Sequence, residues 1–306
     1  MSIVAEYAAQ LHKKTPKTNI RNTAISNFLP KEKIENINAA IFDIYGTIIN
    51  FSPIEFANEE QKKEYQLNVF LKTAQEFGFV EILKKIDGNT PVQITLANFY
   101  GGLLLTLQRR DEENGKKFAE PQIFDAWNLI LSILINNGYE IDKYRIGSRD
   151  EFAKCISYFF HFHSFGRSSL FENCAKSLME LKNRGIKLGL LANTQFYTTI
   201  ELSLYFREDE IIDDYLDLFD NDLCFFSYDL RMTKQSGVLH RKLFYALYDL
   251  QILPQNALFV SKNERDLAWA NEAGLKTALF SQSLQQKKDF IPHILFGNYY
   301  FLAKLL

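Results

Sequence analysis

The fold is decided by one short stretch, Ile37-Asn-Ala-Ala-Ile-Phe42, followed directly by Asp43-Ile-Tyr-Gly46-Thr-Ile-Ile49. A short apolar run that ends at a polar turn is typical of a buried strand in a parallel sheet. In open sheets of this kind, ligands bind beyond the carboxyl ends of the strands. Asp43 stands at such an end, and we therefore take it as the first candidate for a functional side chain.

The second half of the chain alternates short apolar runs with segments of helical periodicity. This alternation predicts an α/β fold with a doubly wound parallel, Rossmann-like sheet and right-handed crossovers. The predicted strands are 188–191, 223–226, 257–260 and 277–280, and the predicted helices are 170–183, 239–250 and 264–273, with a further helix that begins near Gln195.

The middle of the chain has a different pattern, because helical spacing dominates from about Pro53 to Ser168. It predicts helices over 55–77, 92–107, 121–134 and 149–162, and we expect the segment 111–117 to be a charged loop. The sequence thus predicts an N-terminal extension (1–36), a core made of 37–52 and 169–306, and a large helical cap (53–168) inserted after the first strand.

Composition narrows the class of partner. The 35 Lys and Arg nearly balance the 37 Asp and Glu, a balance that does not favour nucleic acid as a partner. The three cysteines lack metal-like spacing, which favours a reducing compartment. No signal sequence and no membrane-spanning window is evident, so we expect a cytoplasmic protein that acts on a small molecule. The oligomeric state stays open.

Asp43-x-x-Gly46-Thr47 resembles the first motif of the haloacid dehalogenase-like (HAD) hydrolase superfamily. The resemblance implies that Asp43 attacks the substrate and forms a covalent aspartyl intermediate. Gly46 permits a sharp turn that leaves backbone N–H groups free to face an anion. Thr47 adds a hydroxyl donor.

Three further segments follow in the superfamily's order. Gly189–Thr194 resembles the second motif, with Ala192 at the usual hydroxyl position and with Asn193 and Thr194 as replacement donors. Lys234 resembles the lysine of the third motif, which pairs with the nucleophile and with the substrate's charge; Arg231 is the alternative if the register differs.

Val260-Ser261-Lys262-Asn263-Glu264-Arg265-Asp266 is similar to the fourth motif. We expect its residues Ser261, Lys262 and Asn263 to contact the substrate.

Two positions depart from the phosphatase pattern. Tyr45 replaces the second aspartate, which is the general acid and base, and the ordinary tyrosine pKa near 10 suits that role poorly. Lys262 replaces the aspartate that helps to hold Mg²⁺. If Mg²⁺ binds, the resemblance implies Asp43, the Tyr45 carbonyl and Asp266 as its oxygen ligands.

Three functions remain open at this point. The leading hypothesis is a HAD-like hydrolase of a small phosphate monoester, with Asp43, Lys234, Thr47, Asn193 and Tyr45 as catalytic candidates. The second is a metal-free dehalogenase-type hydrolase, because dehalogenases share Tyr45 and the Ser-x-Asn-x-x-Asp spacing; however, no arginine stands near Ala74, where they bind the substrate carboxylate. The third is a HAD-fold binding protein that has lost catalysis.

Overall fold

The described chain forms two units, which are treated separately below. The computed structural model describes residues 2–15, 33–50, 54–141, 147–281 and 290–306. The first unit draws on 1–18, 52–167 and 195–197, and we call it the helical unit. The second draws on 19–51, 168–194 and 198–306, and we call it the sheet unit.

The sheet unit contains a parallel sheet whose strand order is β5-β4-β1-β6-β7-β8. The chain starts in the middle at β1, extends to one side and then crosses to the other, so the order reverses next to β1. This confirms the predicted α/β fold with a doubly wound parallel sheet. In chain order the strands are β1 (Ala39–Phe42), β2 (Ile49–Asn50), β3 (Ser169–Leu170), β4 (Lys187–Ala192), β5 (Cys224–Phe226), β6 (Ala257–Ser261), β7 (Lys276–Phe280) and β8 (Ile294–Phe296).

Helices cover both faces of this sheet, as the apolar character of its strands requires. Along β1, Ala40 and Phe42 enter one hydrophobic cluster, whereas Ala39 and Ile41 enter another on the opposite face. All four side chains are fully buried. The helices of the described sheet unit are α7 (Cys174–Asn183), α8 (Tyr197–Glu208, whose first residue falls in the helical unit), α9 (Ser227–Leu230), α10 (Val238–Asp249), α11 (Glu264–Glu272) and α12 (Tyr299–Leu305).

The helical unit holds the described N-terminal segment together with the insertion. Its described helices are α1 (Ile3–Lys14), α2 (Glu59–Glu76), α3 (Val80–Ile86), α4 (Val92–Glu113), α5 (Ile123–Asn136) and α6 (Arg149–Phe165). Helix α6 begins at a capping box in which Ser148 and Glu151 satisfy each other's backbone N–H groups. Trp127 and Tyr158 are fully buried in this unit. None of the helices in the described ranges combines the length and apolar character that crossing a bilayer requires.

The structure corrects several sequence-based boundaries. The helix predicted from Leu170 begins at Cys174, because Ser169 and Leu170 pair with β2 instead. Helix α4 continues to Glu113, so the first residues of the expected loop 111–117 are helical. Asp111 is buried there and forms an ion pair with Lys116 at 3.6 Å, which explains how a charged turn stays folded.

The C-terminal strand β8 and helix α12 were not predicted. Their stretch contains Pro292, Gly297 and Asn298, which interrupt the apolar pattern. In the structure these interruptions mark the boundaries of two short elements: β8 lies between Pro292 and Gly297, and Asn298 caps α12.

Candidate active site

Asp43 lies immediately beyond the carboxyl end of β1, at the point where the strand order reverses. Its main-chain N–H donates to the carbonyl of Val260 at 2.9 Å, which ties the turn to β6. The N–H of Ile44 donates to Asp43 Oδ1 at 2.8 Å. The side chain is 14% exposed, so it is largely desolvated but still open to a ligand.

Lys234 places its ammonium group between two carboxylates. Its Nζ lies 2.9 Å from Asp43 Oδ2 and also donates to Asp266 Oδ2. The side chain of Lys234 is only 9% exposed. Of the two cations that the sequence offers in this segment, Lys234 is therefore the one that contacts Asp43.

Burial and neighbouring charges shift the pKa values of Lys234 and Asp266. Burial alone would lower the pKa of Lys234, but the negative charges of Asp43 and Asp266 outweigh it, and the pKa lies above its ordinary value. Burial raises the pKa of Asp266, with a further contribution from Asp43, and Lys234 opposes the rise only in part. Lys234 thus stays positively charged at neutral pH.

The end of β6 supplies a second side-chain donor to the carboxylate of Asp43. The Ser261 hydroxyl donates to Asp43 Oδ2 at 3.3 Å and accepts the N–H of Asn263 at 3.0 Å. Asn263, by contrast, uses its side-chain oxygen to accept the N–H of Arg265 and so caps α11. Ser261 contacts the carboxylate, whereas Asn263 shapes the start of the helix.

The turn after Asp43 brings Lys262 close to the backbone. Gly46 has a φ of +74°, and a Cβ at this position would overlap Nζ, Cδ and Cε of Lys262. Only glycine meets both conditions without strain. Thr47 fixes the same turn, because its hydroxyl accepts the N–H of Lys262 at 3.1 Å and its carbonyl accepts the Tyr299 hydroxyl at 2.7 Å.

The residues that follow β4 act on the backbone near Lys234. Asn193 Oδ1 accepts the N–H of Lys234 at 2.7 Å and so holds the segment that carries the ammonium. The N–H of Thr194 donates to Ser227 Oγ at 2.8 Å. Thr194 Oγ1 is buried and has no hydrogen-bond partner within the described ranges.

Tyr45 directs its hydroxyl group towards helix α8. The oxygen lies 2.9 Å from Thr198 Oγ1 and donates to Glu201 Oε2 at 3.0 Å. Glu201 is 3% exposed. Our sequence analysis missed Thr198 and Glu201, although a Thr-x-x-Glu pair one helical turn apart, after the second motif, is a signal that could have identified them.

The donor set around Asp43 does not suit a resident Mg²⁺ ion. Mg²⁺ prefers several oxygen ligands in near-octahedral geometry. Here one oxygen of Asp43 and one of Asp266 both bind an ammonium group, and Lys262 adds a second positive charge next to Gly46. The described residues contain no cluster of three or more His, Cys, Asp or Glu side chains that could hold a metal ion.

Comparisons with known proteins bear on the fold. No family model matches this chain, and no curated protein matches it significantly. A solved 2-haloacid dehalogenase from Pseudomonas syringae pv. Tomato superposes with a TM-score of 0.52 at 17% identity, over 88% of this chain and 97% of that one.

Two further solved structures are similar at a lower TM-score. One is an L-2-haloacid dehalogenase from Xanthobacter autotrophicus with chloropropionic acid covalently bound, at a TM-score of 0.44 and 15% identity, over 88% of this chain and 98% of that one. The other is a HAD phosphatase from Thermococcus onnurineus. It has a TM-score of 0.46 and 16% identity, over 88% of this chain and 97% of that one.

Proposed function

We propose that this chain, whose fold is that of the haloacid dehalogenase-like superfamily, is a hydrolase that uses Asp43 as its nucleophile without a resident divalent metal ion. The observation that carries the proposal is the Lys234 ammonium, which contacts both Asp43 and Asp266. A fixed positive charge at this point orients the carboxylate of Asp43 and balances negative charge in the site, a role that a metal ion fills elsewhere.

The hydrogen bonds around Asp43 select one of its oxygens for attack. Oδ2 receives Lys234 and Ser261, whereas Oδ1 receives the N–H of Ile44. A carboxylate offers about four lone-pair sites. One site on Oδ1 therefore remains for bond formation with an electrophilic atom of the substrate.

The environment of Tyr45 favours a leaving group that departs without taking up a proton. Its hydroxyl, at the position of the phosphatase acid, donates to Glu201, so its proton is already engaged. A halide is such a leaving group. In the first step a bond forms between Asp43 Oδ1 and the substrate carbon while the carbon–halogen bond breaks, and the halide leaves with the electron pair.

The second step returns Asp43 to its free form. Water attacks the carbonyl carbon of the aspartyl ester and releases an alcohol product, and a base must accept the proton of the water. Asp266 is the nearby carboxylate for this role, because burial raises its pKa and makes it a better base than an ordinary aspartate. This chemistry corresponds to the metal-free dehalogenase-type hydrolase.

The second candidate function is hydrolysis of a phosphate monoester, and the position of Lys262 supports it. Its ammonium lies over the Gly46 turn, so that the site has two lysine charges within reach of a dianionic group. Neutralisation of a phosphoryl group by fixed cations is a recognised contribution to phosphoryl transfer. Because the Tyr45 hydroxyl donates to Glu201, the leaving group receives no proton from it, and the substrates are then restricted to activated esters.

A single-turnover experiment in heavy-oxygen water tests the nucleophile directly. With enzyme in excess over a short 2-haloacid, we expect the heavy oxygen to appear in the peptide that contains Asp43 and not in the alcohol product. Both enantiomers and a series of phosphate esters are screened in parallel, with added Mg²⁺ or with EDTA. Asp43→Asn is the control, because it retains the shape of the side chain and removes the charge.

Each outcome decides between the candidates. Halide release that persists in EDTA and disappears in Asp43→Asn supports the proposal. Phosphate release that Lys262→Met reduces, and that Lys176→Met on the exposed face of α7 does not, supports the second candidate. Heavy oxygen found only in the product refutes a covalent aspartyl intermediate, and no turnover of either class above the Asp43→Asn level favours the binding protein.

A further inference from the structure

The outer face of helix α10 exposes large apolar side chains. Tyr245 is 71% exposed and Tyr248 is 79% exposed, and Leu253, just beyond the helix, is 58% exposed. A contiguous group of large exposed side chains is a mark of a protein interaction surface. We call Tyr245, Tyr248 and Leu253, together with Lys242, Ala246 and Asp249, the α10 face.

Tyr245 stands between two hollows in the surface. One, of about 540 Å³, is lined by Ala246, Phe225 and Leu250 together with the charged side chains of Asp222, Lys242 and Asp249. The other, of about 420 Å³, is lined almost wholly by apolar side chains, among them Phe244 and Tyr248. The same face therefore offers a protruding aromatic ring and a hollow next to Ala246 that a ring of this size can enter.

Two opposite charges lie at equal distances on either side of the Tyr245–Ala246 pair along the helix. Lys242 and Asp249 are seven residues apart, so they lie on one stripe of the helix, about 10 Å from each other along its axis. Both side chains are exposed. The midpoint between them falls between Tyr245 and Ala246.

We propose that the α10 face binds the same face of a second copy of this chain, in a dimer with two-fold symmetry. A two-fold axis through the midpoint pairs the two α10 helices in antiparallel orientation. It places Lys242 of each copy opposite Asp249 of the other, and it sets each Tyr245 over the other copy's Ala246. The small alanine side chain lets the helices approach closely.

The charges argue for a second copy over a different partner. A two-fold interface must be self-complementary, because one surface patch supplies both sides of every contact. The α10 face meets this requirement, since it carries both signs of charge and both a protruding ring and a hollow. A partner with charge of one sign would leave either Lys242 or Asp249 opposite a like charge.

Sedimentation velocity across a series of protein concentrations tests the dimer. We expect the wild type to shift from monomer to dimer as the concentration rises from micromolar to near-millimolar, and Tyr245→Arg to stay monomeric. Tyr300→Arg on α12 is the matched control, because Tyr300 is also an exposed tyrosine of the sheet unit. A wild type that stays monomeric throughout, or a dimer that Tyr245→Arg leaves intact, overturns the proposal.

Charge reversal provides a second test that does not depend on Tyr245. Lys242→Asp or Asp249→Lys alone breaks both symmetric pairs at once, and each should weaken dimerisation about tenfold or more. The double variant restores opposite charges across the axis and should return to within about threefold of the wild type. A double variant no stronger than either single variant contradicts the antiparallel arrangement. Circular dichroism shows whether each variant is folded.

Discussion

Replacement of Lys234 by methionine tests the cluster at the centre of the sheet unit. Methionine retains the unbranched length of the side chain and removes its charge. The lysine Nζ lies 2.9 Å from Asp43 Oδ2 and also binds Asp266, and the side chain is 9% exposed. The variant therefore leaves two largely buried carboxylates side by side without a counter-charge.

The size of the effect follows from the burial of the pair. Removal of one partner from a buried ion pair costs about 3–5 kcal/mol, mostly because the remaining charge is left uncompensated. We expect a loss of about 3 kcal/mol or more in the free energy of unfolding above neutral pH. Protonation of Asp266 relieves the repulsion, and its folded pKa, which burial and Asp43 already raise above the unfolded value, rises further when Lys234 no longer opposes the shift. The stability of the variant is then greatest below the unfolded pKa of about 4 and falls as the pH rises through the folded pKa.

Urea unfolding followed by the fluorescence of Trp269 measures this loss within the sheet unit. Both proteins carry Trp127→Phe, so that Trp269 is the remaining tryptophan. The difference in free energy between wild type and variant should be large at pH 8 and smaller near pH 5. Lys234→Met combined with Asp266→Asn removes one of the two negative charges and should recover at least half of the loss. A loss below about 1 kcal/mol, the same at both pH values, would refute the reasoning.

Three further variants probe the surroundings of this cluster. Gly46→Ala should cost about 1–2 kcal/mol because φ is +74°, and it should also alter turnover because the new methyl group displaces Lys262. His240→Phe should flatten the pH dependence of the free energy of unfolding. Burial, and then Lys234, lower the His240 pKa to about 4. The stabilisation from the neutral imidazole is therefore complete above the unfolded pKa of about 6.5 and is lost as the pH falls towards 4. Tyr45→Phe should lower stability by about 1–3 kcal/mol, because the buried Glu201 loses a donor, and should change turnover less than about tenfold.

Two of these variants have a matched control, and the third has a distinct pH test. Gly274→Ala has a similar φ of +85° and only an ordinary contact with Pro254 at 3.6 Å, so it should affect stability and not turnover. Tyr228→Phe removes a partly buried hydroxyl that forms a hydrogen bond with the uncharged Thr199, so its cost should be smaller than that of Tyr45→Phe. A difference between wild type and His240→Phe that stays constant from pH 7 to pH 4 contradicts the pKa assignment.

The sheet was predictable because its strands combine short length with burial on both faces. The apolar run before Asp43 and those before Asn193 and Lys262 could be recognised without tertiary information, and β1, β4 and β6 are neighbours in the sheet. Parallel strands bring their carboxyl ends to one edge, so the order of the motifs along the chain indicates which residues meet. The convergence of Asp43, Lys234 and Asp266 rests on this principle.

The sequence did not predict contacts that depend on side-chain direction. Tyr45 could have faced a substrate, and its bond to Glu201 follows from how α8 packs in the sheet unit. Asn263 caps α11 with its side-chain oxygen, because the first backbone N–H groups of a helix need an acceptor, and the sequence analysis did not identify this structural role. Short pairings such as β2 with β3 have two residues each, too few to produce a recognisable pattern.

That short pairing has a consequence for how the chain tolerates change. Ile49 pairs with Leu170 and Asn50 with Ser169, so the chain leaves and re-enters the sheet unit at adjacent antiparallel positions, about 5 Å apart. The entropic cost of closing a loop grows only with the logarithm of its length. The length of the intervening segment can therefore change at little entropic cost, while β2 and β3 keep the chain ends at the same two positions.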